Sequence, residues 1–208
     1  KRIRFQYVTV TLIALNVLAC LLEMAPAATN SFLSSFALVP QELFQVGLAG
    51  GAAPISGDAL PVPERMTLFS YMFLHADGMH LIGNMLFLWV FADNIEDAYG
   101  HAAFAFLYLM SGVVAALLYV LMAPASDIPL VGASGAVSGI LGAYVVLFPH
   151  ARVWILLFLR IPLRIGAAWV LGGWFLLQIF SWWMDSGNPE AGVAWAAHVG
   201  GFIAGAAL

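Results

Sequence analysis

Four side chains capable of chemistry stand in a strongly apolar chain: Ser134 in Gly132-Ala133-Ser134-Gly135, His198 in Ala197-His198-Val199-Gly200-Gly201, and His80 and Asn84 four residues apart. A serine hydroxyl is a weak nucleophile until a base takes its proton, and histidine does this near neutral pH. A second imidazole and a carboxamide can donate hydrogen bonds to the oxyanion that forms when a carbonyl is attacked. Taken singly, each of the four reads more simply as a polar group tying two membrane helices together. The chemistry requires that they meet, so the elements carrying them have to be placed first.

Of the 208 residues, 63% are hydrophobic and only 9% charged, and the mean hydropathy of +0.96 lies far outside the range of soluble domains. This is the composition of an integral membrane protein. The lipid bilayer is the expected partner, and the chain has no basic surface for nucleic acid. Apolar runs of roughly 20 residues cross a hydrocarbon core about 30 Å thick as helices. Six are expected, at about Phe5–Leu22, Met79–Ala92, Ala102–Met122, Ser134–Phe148, Ile165–Met184 and Ala191–Leu208. The second and fourth are short, and require either extension into their loops or a thinned bilayer.

The expected fold is therefore all-α: an integral membrane bundle of six transmembrane helices forming one domain over residues 1–208, with a long external first loop from about Glu23 to Leu74. Within that loop Phe32–Leu48, broken at Pro40, reads equally as short interfacial helices or as an ordinary amphipathic loop. The lone Cys20 excludes an internal disulfide. The basic run Lys1–Arg4, the apolar core after it and the small residues around Ala25–Ala28 also resemble a secretory signal, although a retained span is the preferred reading. The first residue is Lys1 and Leu208 ends inside an apolar run, which suggests a trimmed chain.

Orientation follows from the basic residues, which concentrate on the cytoplasmic side. With six spans, Lys1, Arg2, Arg4, Arg152, Arg160 and Arg164 share one side and only Arg65 falls on the other, so the termini are expected in the cytoplasm and the protein in the plasma membrane. The acids Glu42, Asp58, Glu64, Asp127, Asp185 and Glu190 then fall in external loops. Even-numbered spans enter from outside, and distance from the last external acid measures depth. Ser134 is seven residues after Asp127, His198 eight after Glu190, and Asn84 seven after Asp77 with His80 one turn above it. At a helical rise of 1.5 Å per residue, these groups converge about 10 Å below the surface.

Ser134, Ser138 and Gly142 recur at four-residue steps, and His198, Gly201 and Gly205 at i, i+3 and i+7, giving spans four and six smooth faces that can approach closely. Approach would bring the hydroxyl to the imidazole. No Asp or Glu shares their depth, so the expected arrangement is a Ser-His dyad. Ser134 also begins a helix, where its own amide and the helix dipole favour an oxyanion. A metal site is not expected: His75 and His80 are five apart rather than four, and no Cys or acid lies at that level. No cofactor is required.

Together these residues resemble the rhomboid family of intramembrane serine proteases. The motifs are Gly132-Ala133-Ser134-Gly135, then His75, His80 and Asn84 in His-x4-His-x3-Asn, then Ala197, His198, Gly201 and Gly205, with Glu96 and Gly100 after the second span. The resemblance implies that Ser134 is the nucleophile and His198 the base and later acid. It implies that His80, Asn84 and the Ser134 amide support the oxyanion, and that His75, Gly132 and Gly135 are accessory. Its implied substrates are transmembrane proteins, cut in or near a membrane segment. The alternative is a catalytically silent relative that binds client helices, although such relatives typically lose Ser134 or His198. Two departures stand out. The first loop lacks the Trp-Arg pair of many members, and Ser138 occupies a position where some relatives pack an aromatic ring on the histidine, so that support is expected from elsewhere.

Overall fold

A computed structural model describes residues 3–24, 29–48, 62–157, 160–185 and 195–208. Asp58, Glu190, the Ala25–Ala28 stretch and the expected start of the last span at Ala191 lie outside them. The chain opens with α1 (Tyr7–Glu23), followed by the short helices α2 (Thr29–Phe36) and α3 (Pro40–Glu42), the latter running into a π-turn over Leu43–Leu48. The proline that breaks the Phe32–Leu48 segment opens α3, where its missing N–H costs nothing. Residues 64–73 wind through 3-10 turns and α4 (Thr67–Ser70).

The second long helix begins as α5 (Gly78–Phe87), loosens into a π-turn at Leu88–Ala92 and continues as α6 (Asp93–Tyr99). The helix of the expected second span thus continues past Ala92 as far as Tyr99. Gly100, at φ +78°, makes the corner into α7 (His101–Met122), a backbone conformation open to glycine at little cost. Next come α8 (Ser134–Leu147), a hairpin of β1 (Arg152–Leu157) and β2 (Ile161–Gly166), then α9 (Ala167–Asp185) and α10 (Trp195–Ala207).

The chain is mostly helical, as expected of an all-α membrane protein, and the short hairpin is a local addition between two helices. Its strands pair antiparallel with Arg152 opposite Gly166, Trp154 opposite Arg164 and Leu156 opposite Pro162, and the Arg164 guanidinium lies over the Trp154 ring. The fifth helix consequently starts at Ala167 rather than Ile165. Among the described residues, α7 and α9 are by themselves long and apolar enough to cross a membrane, while α1 and α8 are shorter apolar helices.

The core centres on α8. Every residue from Gly135 to Tyr144 is buried, as expected of a helix apolar on all sides. It packs most closely on α10, where a Cβ on Gly201 would strike the Gly135 carbonyl, one on Gly205 the Gly139 carbonyl, and one on Gly142 the Phe202 carbonyl. The smooth face of α8 is therefore Gly135, Gly139 and Gly142, not the expected Ser134, Ser138 and Gly142. Ser138 instead donates its hydroxyl to the Ser134 carbonyl at 2.6 Å. Outward, large apolar side chains are bare: Leu18 and Leu21 on α1, Trp89 in the π-turn, Trp169 and Trp183 on α9, and Ile203 on α10.

A second polar centre lies away from the serine. Glu96 on α6 is fully buried. It accepts the Val8 and Thr9 amides at 3.0 and 2.8 Å, the Thr9 hydroxyl at 2.6 Å, and pairs with His101 Nδ1 at 2.5 Å. The residue preceding α1, Gln6, supplies no side-chain cap. Glu96 caps that helix from across the fold, a carboxylate at a helix N-terminus.

Candidate active site

The segment before α8 is held extended by neighbours from the first loop. Leu38 and Leu130 exchange both backbone hydrogen bonds, at 3.2 and 2.7 Å, and the Gly132 amide donates to the Tyr71 carbonyl at 2.9 Å. Gly132 has φ +119° and lies against the His80 ring, where a Cβ would sit 2.6 Å from Cε1 and 2.8 Å from Nε2. A side chain here would be strained and would displace that imidazole. Gly135 is tight for a different reason: its Cβ would meet that of Ala115 at 2.7 Å. Both glycines named from the sequence are thus required by close approach.

Ser134 is the first residue of α8, and the helix lacks a side-chain cap. Its first-turn amides have no partner within the helix. His198, in the first turn of α10, reaches across so that Nε2 lies 2.8 Å from the Ser134 hydroxyl oxygen. Both side chains are half-buried. On the other side of the imidazole, Nδ1 lies 2.8 Å from the Gln178 amide oxygen. The ring is flanked by Trp174 and Trp195, with centroids 6.2 and 6.1 Å away. These indoles provide the aromatic packing that Ser138 does not.

Gln178 is the residue that reasoning from sequence missed. Its signal was present, since it is the one carboxamide between Ile165 and Met184, but an amide in an apolar run reads equally as interhelical glue. Its place on the buried stripe of α9, with Ala167 and Leu171, turns it inward.

Ser134 and His198 open on a cavity of about 460 Å³ that His80 and Asn84 also line, with apolar walls from Met79, Phe87, Leu141 and Trp174. The four groups expected at one depth share one cavity. Asp77 caps α5 by accepting the His80 amide at 2.8 Å; that bond holds its carboxyl below the ordinary range and starts the helix where His80 faces the cavity. Asn84 is buried and donates to the His80 carbonyl at 3.2 Å, leaving its second N–H. His75 does not line the cavity. It is buried behind His80, ring centroids 5.1 Å apart, with its amide donating to Glu23 at 3.3 Å. Burial, reinforced by His80, pushes its imidazole down to about 4, so it is neutral at neutral pH.

A hydroxyl hydrogen-bonded to an imidazole, that imidazole bonded in turn to an amide oxygen, and polar groups facing a shared cavity are the geometry that acyl transfer requires. Comparison with known proteins places the chain in a family. A family model described as Rhomboid domain matches residues 63–208. The chain is 33% identical over 150 residues to Rhomboid protein 1, mitochondrial, of Saccharomyces cerevisiae, covering 69% of this chain and 41% of that protein. It is 32% identical over 137 residues to Rhomboid-like protease 3 of Toxoplasma gondii, covering 66% and 48%. Against Rhomboid protease GluP of Bacillus subtilis the identity is 35% over 80 residues, covering 38% and 15%.

The chain spans less than half the length of these relatives. One of them is named as mitochondrial, so the expected plasma-membrane residence gains no support from similarity. The family match contains every residue lining the cavity, and this integral membrane chain belongs to the rhomboid family.

Proposed function

We propose that the chain is a serine endopeptidase that cuts a peptide bond in or near a transmembrane segment of a membrane-protein substrate. The observation that carries this reading is the 2.8 Å hydrogen bond between Ser134 and His198 on the wall of a cavity. In the proposed reaction the Ser134 oxygen attacks the scissile carbonyl while His198 Nε2 takes its proton. The oxyanion faces the first-turn amide of Ser134 together with donors from His80 and Asn84. The imidazolium then protonates the leaving amine, and an ester to Ser134 remains. Water, deprotonated by His198, attacks that ester; the acyl–oxygen bond to Ser134 breaks, the second product leaves as a carboxylic acid, and His198 returns the proton to the Ser134 oxygen. Every step is completed by side chains and water.

A peptide bond within a membrane helix is already hydrogen-bonded and shielded, so attack requires local unwinding. Substrates with small residues at the cut and weak helix beyond it fit this requirement. The reading places six spans across the bilayer, with the termini and the Arg152–Arg164 hairpin on the cytoplasmic side and the cavity nearer the outside. A serine-directed fluorophosphonate applied to the purified full chain tests it. An adduct on Ser134 that disappears in His198→Ala is expected; no adduct, or one on another serine, would favour the silent client-binding relative.

A further inference from the structure

The acceptor on the far side of His198 is an amide oxygen rather than a carboxylate, and this has chemical consequences. A carboxamide buried in an apolar helix face is costly unless bonded, and Gln178 is 4% exposed while its neighbours Leu176 and Leu177 are 66% and 55% exposed. The amide is directed inward, to Nδ1. The other groups around the imidazole cannot take its place: Trp174 and Trp195 have indole N–H groups, which only donate, and that of Trp195 is already bonded to Asp185 at 2.6 Å.

We infer that Gln178 is a positioning residue, which holds His198 in the tautomer with the proton on Nδ1 and so turns the Nε2 lone pair toward the Ser134 hydroxyl. The inference rests on the reading of Ser134 and His198 as nucleophile and base. A free histidine side chain favours the opposite tautomer, with the proton on Nε2. In that form the ring would donate to Ser134 and could not accept its proton. The amide oxygen accepts from Nδ1–H at 2.8 Å and reverses the preference, the orienting role that a carboxylate plays in a Ser-His-Asp triad.

The substitution of amide for acid matters in an apolar helix. A carboxylate at this depth would carry a large desolvation cost, whereas an amide costs little once bonded. It also leaves the imidazolium with a dipole for a neighbour instead of a full negative charge. Among the described residues, the groups facing the ring are Ser134 from α8, Gln178 and Trp174 from α9, Trp195 from its own helix, and His80 from α5 across the cavity. Asp185 accepts the Trp195 indole N–H.

The test compares the full chain, reconstituted in lipid, with Gln178→Leu and Gln178→Glu. Tautomers are read by ¹⁵N-histidine NMR, with His198 assigned by its loss in His198→Ala, and cleavage of a transmembrane substrate is followed against pH. The parent should carry its proton on Nδ1. Gln178→Leu should shift His198 toward the Nε2–H form and lower kcat roughly tenfold with KM unchanged, the size expected for one neutral hydrogen bond. Gln178→Glu, followed to a pH at which its carboxyl is ionised and can only accept, should restore the Nδ1–H form. By stabilising the imidazolium it should also move the acid limb of the rate profile to higher pH, by about one unit or more. A parent that carries its proton on Nε2, or variants sharing the parent's tautomer and pH profile and differing only in thermal stability, would overturn the inference. If the parent cleaves nothing, the protease reading fails, and the tautomer comparison still decides the role of Gln178.

Discussion

Two polar centres among the described residues of this apolar molecule, one at Glu96 and one at Ser134, are built differently. Around Glu96 every oxygen is occupied: two backbone amides, a hydroxyl and an imidazole converge on a carboxylate with no exposed surface. Around Ser134 the polar groups are only partly engaged, and they face a cavity. A saturated cluster fixes elements relative to one another, here α1 against α6 and α7. A cluster with donors left over, aimed into open space, has capacity for a ligand. The difference separates structural from chemical use of polar residues more clearly than burial does, since Asn84 and Glu96 are both buried.

Substitutions should separate the two centres. The largest effect is expected at the serine: Ser134→Ala and His198→Ala should each abolish detectable cleavage, and the double variant should be no worse because the pair acts as a unit. Their thermal stability should stay near that of the parent, measured in the same detergent. Asn84→Ala removes one donor among several, and should lower the cleavage rate by up to about 10²–10³.

Glu96→Gln should do the reverse. It sets an amide against the donors of Val8, Thr9 or His101 and should cost about 2–4 kcal/mol of stability, read by chemical denaturation, while folded molecules keep their turnover. Burial raises the Glu96 pKa, but the bonds from Thr9, Val8 and His101 outweigh it, and the carboxyl ends below its ordinary range. Its contribution to stability is therefore fully present above the unfolded value near 4.3 and is lost as pH falls through the lower folded value. A melting series from pH 6 downward should show this loss in the parent and not in Glu96→Gln. The smallest effect is expected from Gly132→Ala, where backbone strain of about 1–3 kcal/mol accompanies displacement of His80. Activity should fall more than stability, whereas equal losses would assign Gly132 to the scaffold.

What was legible in the sequence was whatever lies close together along the chain. Gly132 to Gly135, and His80 with Asn84, are local patterns, and counting from Asp77 and Asp127 led to the expectation that they meet, which their shared cavity matches. Long apolar runs likewise announced the helices. The hairpin at Arg152–Gly166 was hidden because both its faces are apolar: Val153 and Ile155 alternate with Trp154 and Leu156, so no period of two appears. Gln178 was hidden for another reason. Its significance depends on which way α9 is turned, and that is set by packing against α10 rather than by any neighbour in sequence. The choice of Gly135 and Gly139 over Ser134 and Ser138 as the contact face is of the same kind.

The central claim is that Ser134 and His198 form a working catalytic pair within the membrane. The most direct test is to reconstitute the full chain with a single-span substrate and identify the products by mass, alongside substrate binding, for the parent and Ser134→Ala. The account predicts one discrete cut in or next to the membrane segment by the parent, and by Ser134→Ala no cut with binding retained. Equal cleavage by both proteins, or binding without cleavage by the parent across a broad panel of substrates, would contradict it.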